Sequence, residues 1–152
     1  MTTHQETWMR RALELAAQAA KRGEVPVGAL VIDPQGDVIA EAHNAPIIEN
    51  DPTAHAEVLA LRHASRALGN YRLTGCTLVV TLEPCAMCAG AISTARITHL
   101  IYGASDQKGG AIEHGPRLFE QPTIHHRPKV TSGVLADEAA RLLREFFAAR
   151  RR

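Results

Sequence analysis

Apolar residues in "TWMRRALELAAQAAKRG" return at Trp8, Ala12, Leu15, Ala16 and Ala19, while Arg10, Arg11, Glu14, Gln18, Lys21 and Arg22 occupy the other faces. This spacing predicts an amphipathic helix that Gly23 stops. The period then shortens. "VGALVID" and "VIAEAH" are β-rich runs separated by "PQGD", whose Pro34 and Gly36 favour a turn, so residues 27–43 predict a hairpin. "DPTAHAEVLALRHASRAL" predicts a second helix. Asp51 or Thr53 is suited to accept from its first amides, and Pro52 has no N–H to leave unpaired in the first turn. Val58, Leu61 and Leu68 supply its core face before Gly69 and Asn70 end it.

"CTLVVTL" is almost wholly apolar, which implies a strand covered on both faces at the centre of a sheet. "CAMCAGAISTA" follows as a helix of small residues that pack closely, and "ITHLIYG" is the next strand. A loop holding "SDQKGG" and an irregular stretch with Pro116, Pro122 and Pro128 lead to a short strand near "KVTSG". "LADEAARLLREFFAARRR" closes the pattern as an amphipathic helix. Asp137 and Glu138 at its start and Arg150, Arg151 and Arg152 at its end complement the helix dipole. No repeat or long linker interrupts this order. It predicts an α/β fold, a three-layer α/β/α sandwich with a central mixed sheet of about five strands, as one domain over residues 1–152.

Composition narrows the class of molecule. With 152 residues, 45% hydrophobic and 22% charged, the chain has the make-up of a soluble globular protein. A formal net charge of +1 is too small to announce a nucleic-acid partner by itself. The N-terminal helix carries Glu14 and Gln18 inside its apolar stretch and reads as mature structure rather than a signal peptide. The run "VGALVI" is far too short to span a bilayer, so no membrane association is expected. Three cysteines, an odd number, argue for a reducing, cytoplasmic setting in which a close pair serves metal or redox chemistry.

That pair is Cys85 and Cys88, three positions apart where the buried strand gives way to a helix. Free amides and the positive end of the dipole lie at a helix start and favour the thiolate. A lone C-x-x-C leaves metal binding and redox activity open. Thirty residues upstream, "HAE" offers His55 as a third ligand and Glu57 as a nearby carboxylate. Two thiolates and a neutral imidazole balance Zn²⁺ and leave the fourth tetrahedral position open, as in catalytic rather than structural zinc sites. A water there has its pKa lowered toward about 7, and Glu57 is the candidate base. Residues two apart on a regular helix point roughly 200° from each other, so periodicity does not bring His55 and Glu57 together. Cys76 reads as a small core residue, and His43, His63, His99, His114, His125 and His126 as loop or surface residues.

"HAE" with "PCAMC" matches H-x-E…P-C-x-x-C, the signature of zinc nucleobase deaminases. With "VPVGALVID", "HNAPI", "NDPTAHAEVLALR", "NYRLTGCTLVVTLEPCAMCAGAI", "IYGASDQKGGA" and "GVLADEAARLLREFF", the chain resembles the bacterial tRNA-specific adenosine deaminases of the cytidine/deoxycytidylate deaminase superfamily. The resemblance implies a cytidine deaminase-like fold, one Zn²⁺ per chain on His55, Cys85 and Cys88, and Glu57 as proton shuttle. It further implies hydrolytic conversion of adenosine to inosine at the wobble position of a tRNA anticodon stem-loop, by a homodimer. Asn44 is implied at the target base, Asp106 near a ribose and Lys108 near phosphate. Gly28 permits close backbone approach, at the pocket or in packing. Gly109 and Gly110 depart from the family pattern of a bulkier residue before one glycine, and predict a more flexible loop.

Three rivals stay open at this stage. A free-base or nucleoside deaminase acting on guanine or cytosine shares the same four residues. A non-catalytic zinc module needs a fourth ligand from Cys76 or His63. A redox protein needs Cys85 and Cys88 free to form a disulfide.

Overall fold

The structure is a computed structural model that describes residues 3–150. Thr3 Oγ1 accepts from the Glu6 N–H at 3.1 Å and starts helix α1, His4–Lys21. Its buried stripe is Met9, Ala12, Leu15, Ala16 and Ala19, with Trp8 half-buried beside it. Strands β1 (Gly28–Ile32) and β2 (Val38–His43) form the expected hairpin. Helix α2 (Ala56–Leu68), strand β3 (Thr77–Leu82), helix α3 (Ala86–Thr94) and strand β4 (His99–Ala104) follow. A long connection with one 3-10 turn at Leu118–Glu120 leads to β5 (Lys129–Thr131) and α4 (Ala136–Arg150).

The five strands form one sheet in the order β2-β1-β3-β4-β5. β1 runs antiparallel to β2 and β3, whereas β3, β4 and β5 are parallel. This is the mixed sheet expected, with α1 and α4 against one face and α2 and α3 against the other. Alternate residues of the central strands feed two cores. Leu30, Ile32, Val79 and Ile101 meet Met9, Ala12 and Leu15 of α1. Ala29, Val31, Leu78, Val80, Leu100 and Tyr102 join Leu59, Ala60 and Leu61 of α2. Burial on both faces explains why β1 and β3 are continuous apolar runs and the edge strand β2 is not. No helix among the described residues is long and apolar enough to cross a membrane.

Two features of α2 depart from expectation. The helix starts at Ala56 with His55 as N-cap, because Asp51 Oδ1 is already taken by the Thr53 N–H (2.9 Å) and Thr53 hydroxyl (2.8 Å) in a preceding turn. Pro52 lies in that turn. The core face is Ala56, Leu59, Ala60, Leu61 and Ala64. Leu68, the last residue before the left-handed Gly69 cap, is 44% exposed. Arg150 closes α4, whereas Arg151 and Arg152 lie outside the described residues.

Gly28 turns out to serve packing. A Cβ there would stand 2.0 Å from the Ala12 carbonyl oxygen and 2.8 Å from the Ala16 nitrogen, so α1 rests its backbone directly on β1. Gly28→Ala is expected to destabilise the fold by about 3 kcal/mol or to prevent folding. Gly36→Ala, at φ +91° with nothing within 4 Å, should cost only about 1 kcal/mol. Equal melting temperatures for the two variants would refute this packing account.

Candidate active site

Strand register gathers the candidate residues at one end of the sheet. Gly28 pairs with His43, Ala29 with Val80 and Leu82 with Ala104. Chain segments therefore leave the sheet together at Val27, Asn44, Glu83 and Ser105. The N-terminus of α2 is tied to the same end, since Asn44 Oδ1 accepts from the Ala56 N–H at 2.8 Å. A donor N–H fixes which end of the Asn44 amide faces it, and the Nδ2 group then points away with no partner among the described residues.

His55 and Cys85 are both N-caps with extended backbones, at φ −73°, ψ 150° and φ −74°, ψ 176°. Neither side chain caps its own helix. Both swing instead to a common point, joined by Cys88 from the first turn of α3. His55 Nδ1 lies 3.6 Å from Cys85 Sγ and 3.5 Å from Cys88 Sγ, and all three ligand atoms fall within 4.8 Å of one another. A tetrahedral zinc with bonds of about 2.3 Å to sulfur and about 2.05 Å to nitrogen has an N···S edge of about 3.6 Å. Both N···S distances match that edge. The N-cap conformation also removes the helical-wheel difficulty: His55 is not on the wheel, so Glu57 can reach the same site from the first turn of α2.

The electrostatics suit both roles. Cys88 donates to Cys85 and His55 lies against it, and together they hold the Cys85 thiol down at about 4. Cys88 is pushed up by that same hydrogen bond and by burial, and His55 is raised chiefly by its contact with Cys85. These protons are the ones a metal displaces. Glu57 is 5% exposed, and burial, aided by the Cys85 charge, lifts its carboxyl to about 7.

The rival fourth ligands are remote. Cys76 is a fully buried core residue at the start of β3, roughly 20 Å of strand from Cys85. His63 is exposed and about 12 Å along α2 from His55. Among the described residues, His55, Cys85 and Cys88 are the group that gathers. Several other histidines are better held than surface residues would be. His99 Nε2 meets Thr131 Oγ1 and His126 Nε2 meets the Ile97 carbonyl, both at 2.8 Å and both half-buried, while His125 is exposed.

Asp106 and Lys108 follow β4 at the same sheet end. Asp106 Oδ1 accepts from the Lys108 N–H (3.2 Å) and Gly109 N–H (2.9 Å), and Lys108 is exposed. Of the two glycines there, Gly109 is exposed and Gly110 buried. A Cβ on Gly110 would stand 2.5 Å from the Glu83 carboxyl carbon and from the Asp106 carbonyl oxygen, so this glycine marks close packing. Two buried carboxylates escaped the sequence reading. Glu24 accepts from the Ile47 (3.3 Å) and Ile48 (2.8 Å) amides, and Glu83 binds the 106–114 loop. The available signal was a charged residue beside an apolar run, in "GEVP" and "TLEPC". Asn44, Glu24, Val25, Pro46, Phe146 and Arg150 border a neighbouring cavity of about 470 Å³, with the Arg150 guanidinium stacked 4.3 Å above Phe146.

A zinc-fitting His-Cys-Cys group at helix N-termini beside a buried carboxylate is a deaminase arrangement, and the chain belongs to the family defined by the cytidine and deoxycytidylate deaminase zinc-binding region, which matches residues 2–104. It is similar to the tRNA-specific adenosine deaminase of Agrobacterium fabrum, 54% identical over 95% of this chain and 94% of that one. A structure from work on A-to-I editing by tRNA:A34 deaminases at the wobble position of transfer RNA is 52% identical, with TM-score 0.88 over 90% of this chain and 99% of that one. The guanine deaminase of Nitrosomonas europaea is more distant, at 29% identity and TM-score 0.77 over 94% of this chain and 84% of that one.

After metal removal, Cys85 should alkylate with iodoacetamide even at pH 6, because its thiolate is favoured and partly exposed. Cys76 should stay unlabelled until the protein unfolds. Peptide mass spectrometry reads the order, and labelling of Cys76 first would contradict this assignment.

Proposed function

We propose that the protein is a zinc-dependent hydrolase that converts adenosine to inosine at the wobble position of a tRNA anticodon stem-loop. The observation that carries this reading is the His55, Cys85 and Cys88 group with buried Glu57 beside it, in a chain about half identical to tRNA-specific adenosine deaminases. One zinc ion per chain, held by His55, Cys85 and Cys88, supplies a nucleophilic water at neutral pH.

Glu57 moves the protons. Its carboxylate accepts one from the attacking water and passes it to the ring nitrogen as the amine-bearing carbon becomes tetrahedral, then carries the remaining hydroxyl proton to the amine, so that ammonia leaves and inosine remains. Burial, which raises the Glu57 carboxyl, suits a group that must both accept and return a proton. Water and adenosine account for every atom of inosine and ammonia. The Asn44 Nδ2 group donates to the base edge, while its Oδ1 keeps α2 in register. Asp106 turns Oδ2 toward a ribose hydroxyl because Oδ1 is occupied by its own loop, and Lys108 meets phosphate.

An anticodon loop suits such a site because its bases are already unstacked. The single domain works as a homodimer in the cytoplasm. An exposed groove between α2 and α3, with Val58, Tyr71, Ala91 and Ala95 on its walls, supports self-association.

The test is inosine formation in an anticodon stem-loop bearing a wobble adenosine, with zinc content and sedimentation measured on the same dimeric sample. Glu57→Gln is expected to lose about a thousandfold in kcat with zinc retained. Turnover of free guanine without turnover of the stem-loop would move the reading to a free-base deaminase.

A further inference from the structure

Glu83 takes no part in the chemistry above, yet it is the most heavily bonded side chain near the site. It lies between the end of β3 and the Pro84-Cys85 turn, with its side chain 0% exposed. Oε1 accepts from the Asp106 N–H (3.0 Å) and meets His114 Nδ1 at 2.8 Å. Oε2 accepts from three successive amides, Ile112 (3.1 Å), Glu113 (2.9 Å) and His114 (3.2 Å). An isolated buried carboxylate is costly, and such a group persists where donors surround it. Here every donor comes from one surface loop.

From within, the loop is held by the Asp106 carboxylate and carbonyl, which accept from the Lys108, Gly109 and Gly110 amides, and by Ala111 and Ile112, buried in the core. It has no helix or strand between Ser105 and Arg117, and Ser105, Gln107, Lys108 and Gly109 are exposed. Loops of this kind are ordinarily mobile. This one is wrapped around the Glu83 carboxylate so closely that Gly110 has no room for a Cβ. Two further ties reinforce the wrap: the Ala111 N–H donates to the Pro84 carbonyl at 2.9 Å, and the Tyr102 hydroxyl donates to Glu113. Pro84 is next to Cys85. The loop and the turn bearing the first thiolate ligand are thus joined through Glu83 and Pro84 as one piece.

We propose that Glu83 is a positioning residue that locks the 106–114 loop to the metal-ligand turn, setting the distance between the loop's RNA contacts and the reacting base. The proposal rests on the reading that this loop touches the anticodon stem-loop. Glu83 acts through the loop and touches neither substrate nor metal. Its loss therefore weakens RNA capture more than it slows chemistry in RNA already bound.

Glu83→Gln is the primary test. A glutamine has the same shape but accepts on one side only and turns an NH₂ group toward donors on the other, so part of the loop must let go. The expected result has three parts. Zinc stoichiometry stays at the wild-type value. Amide hydrogen exchange speeds up by about tenfold or more at 106 and 112–114 while β3 and β4 amides keep their protection. KM for the stem-loop rises about tenfold with kcat within about threefold. Tyr102→Phe, which keeps the ring in the core and removes only the hydroxyl tie, should give a smaller change of the same kind; it decides the matter if Glu83→Gln does not fold. Loss of zinc, exchange rising evenly through β3 and β4, or a fall in kcat at unchanged KM would each overturn the proposal. The exchange experiment needs no substrate. Wild-type protein inactive on stem-loops but with the loop released in Glu83→Gln would therefore sink the functional reading and the RNA role, and leave the loop tie standing.

Discussion

Everything at the site depends on two helices that begin at the same point in space. α2 and α3 both start at the end of the sheet where β3 terminates, and in each the N-cap residue carries a ligand rather than a capping group. An N-cap has extended backbone, so its side chain is free of the helical screw and can reach across to the other helix. The unpaired first-turn amides and positive dipole ends then face the thiols of Cys85 and Cys88, where they favour negative charge. A position that in most helices holds Ser, Thr or Asp here holds His55 and Cys85. Asn44 supplies part of the missing cap from the neighbouring strand end.

The sheet makes this convergence possible. Because β1 is antiparallel to β3 while β4 is parallel to it, the entrance to β1 and the exits of β2, β3 and β4 share one end. The His-Cys-Cys group, the Glu57 carboxylate, the Asn44 amide and the polar loop after β4 all hang from that end of the sheet. The layers behind it are closely packed, as Gly28 illustrates, so each exit point is fixed by the register of an apolar core. Buried carboxylates complete the support. Glu24 holds the loop after Asn44 and Glu83 holds the loop after β4, each exchanging hydration for backbone amides that would otherwise be unpaired.

Much of this could be read from the residues. The periods of α1, β1 and β3 appear directly in the chain because each element buries a face or two, and burial selects apolar side chains; α4 shows its period although Ala139 is its one buried residue. The spacing of His55, Cys85 and Cys88 was equally plain, since few chemistries need those types together. Other features lay beyond a linear reading. Asp51 and Thr53 look like helix caps, and a carboxylate that closes a turn looks the same in sequence as one that caps a helix. Leu68 fits the helical stripe of α2, but periodicity names a face without saying where its partner ends. The meeting of His55 with Glu57 depends on a backbone angle at one residue. Glu83 was missed because its partners lie more than twenty residues away in a loop with no period, and the sequence does not show that Gly110 there marks close contact.

The central claim is that three protein ligands converge and leave one position for a small exchangeable ligand. X-ray absorption at the zinc edge of the metal-loaded protein tests it most directly. The account predicts two sulfurs at about 2.3 Å with one imidazole nitrogen and one further light atom at about 2.0 Å, the last replaceable by an added anion. A shell of three sulfurs, or two imidazoles with no exchangeable atom, would contradict it.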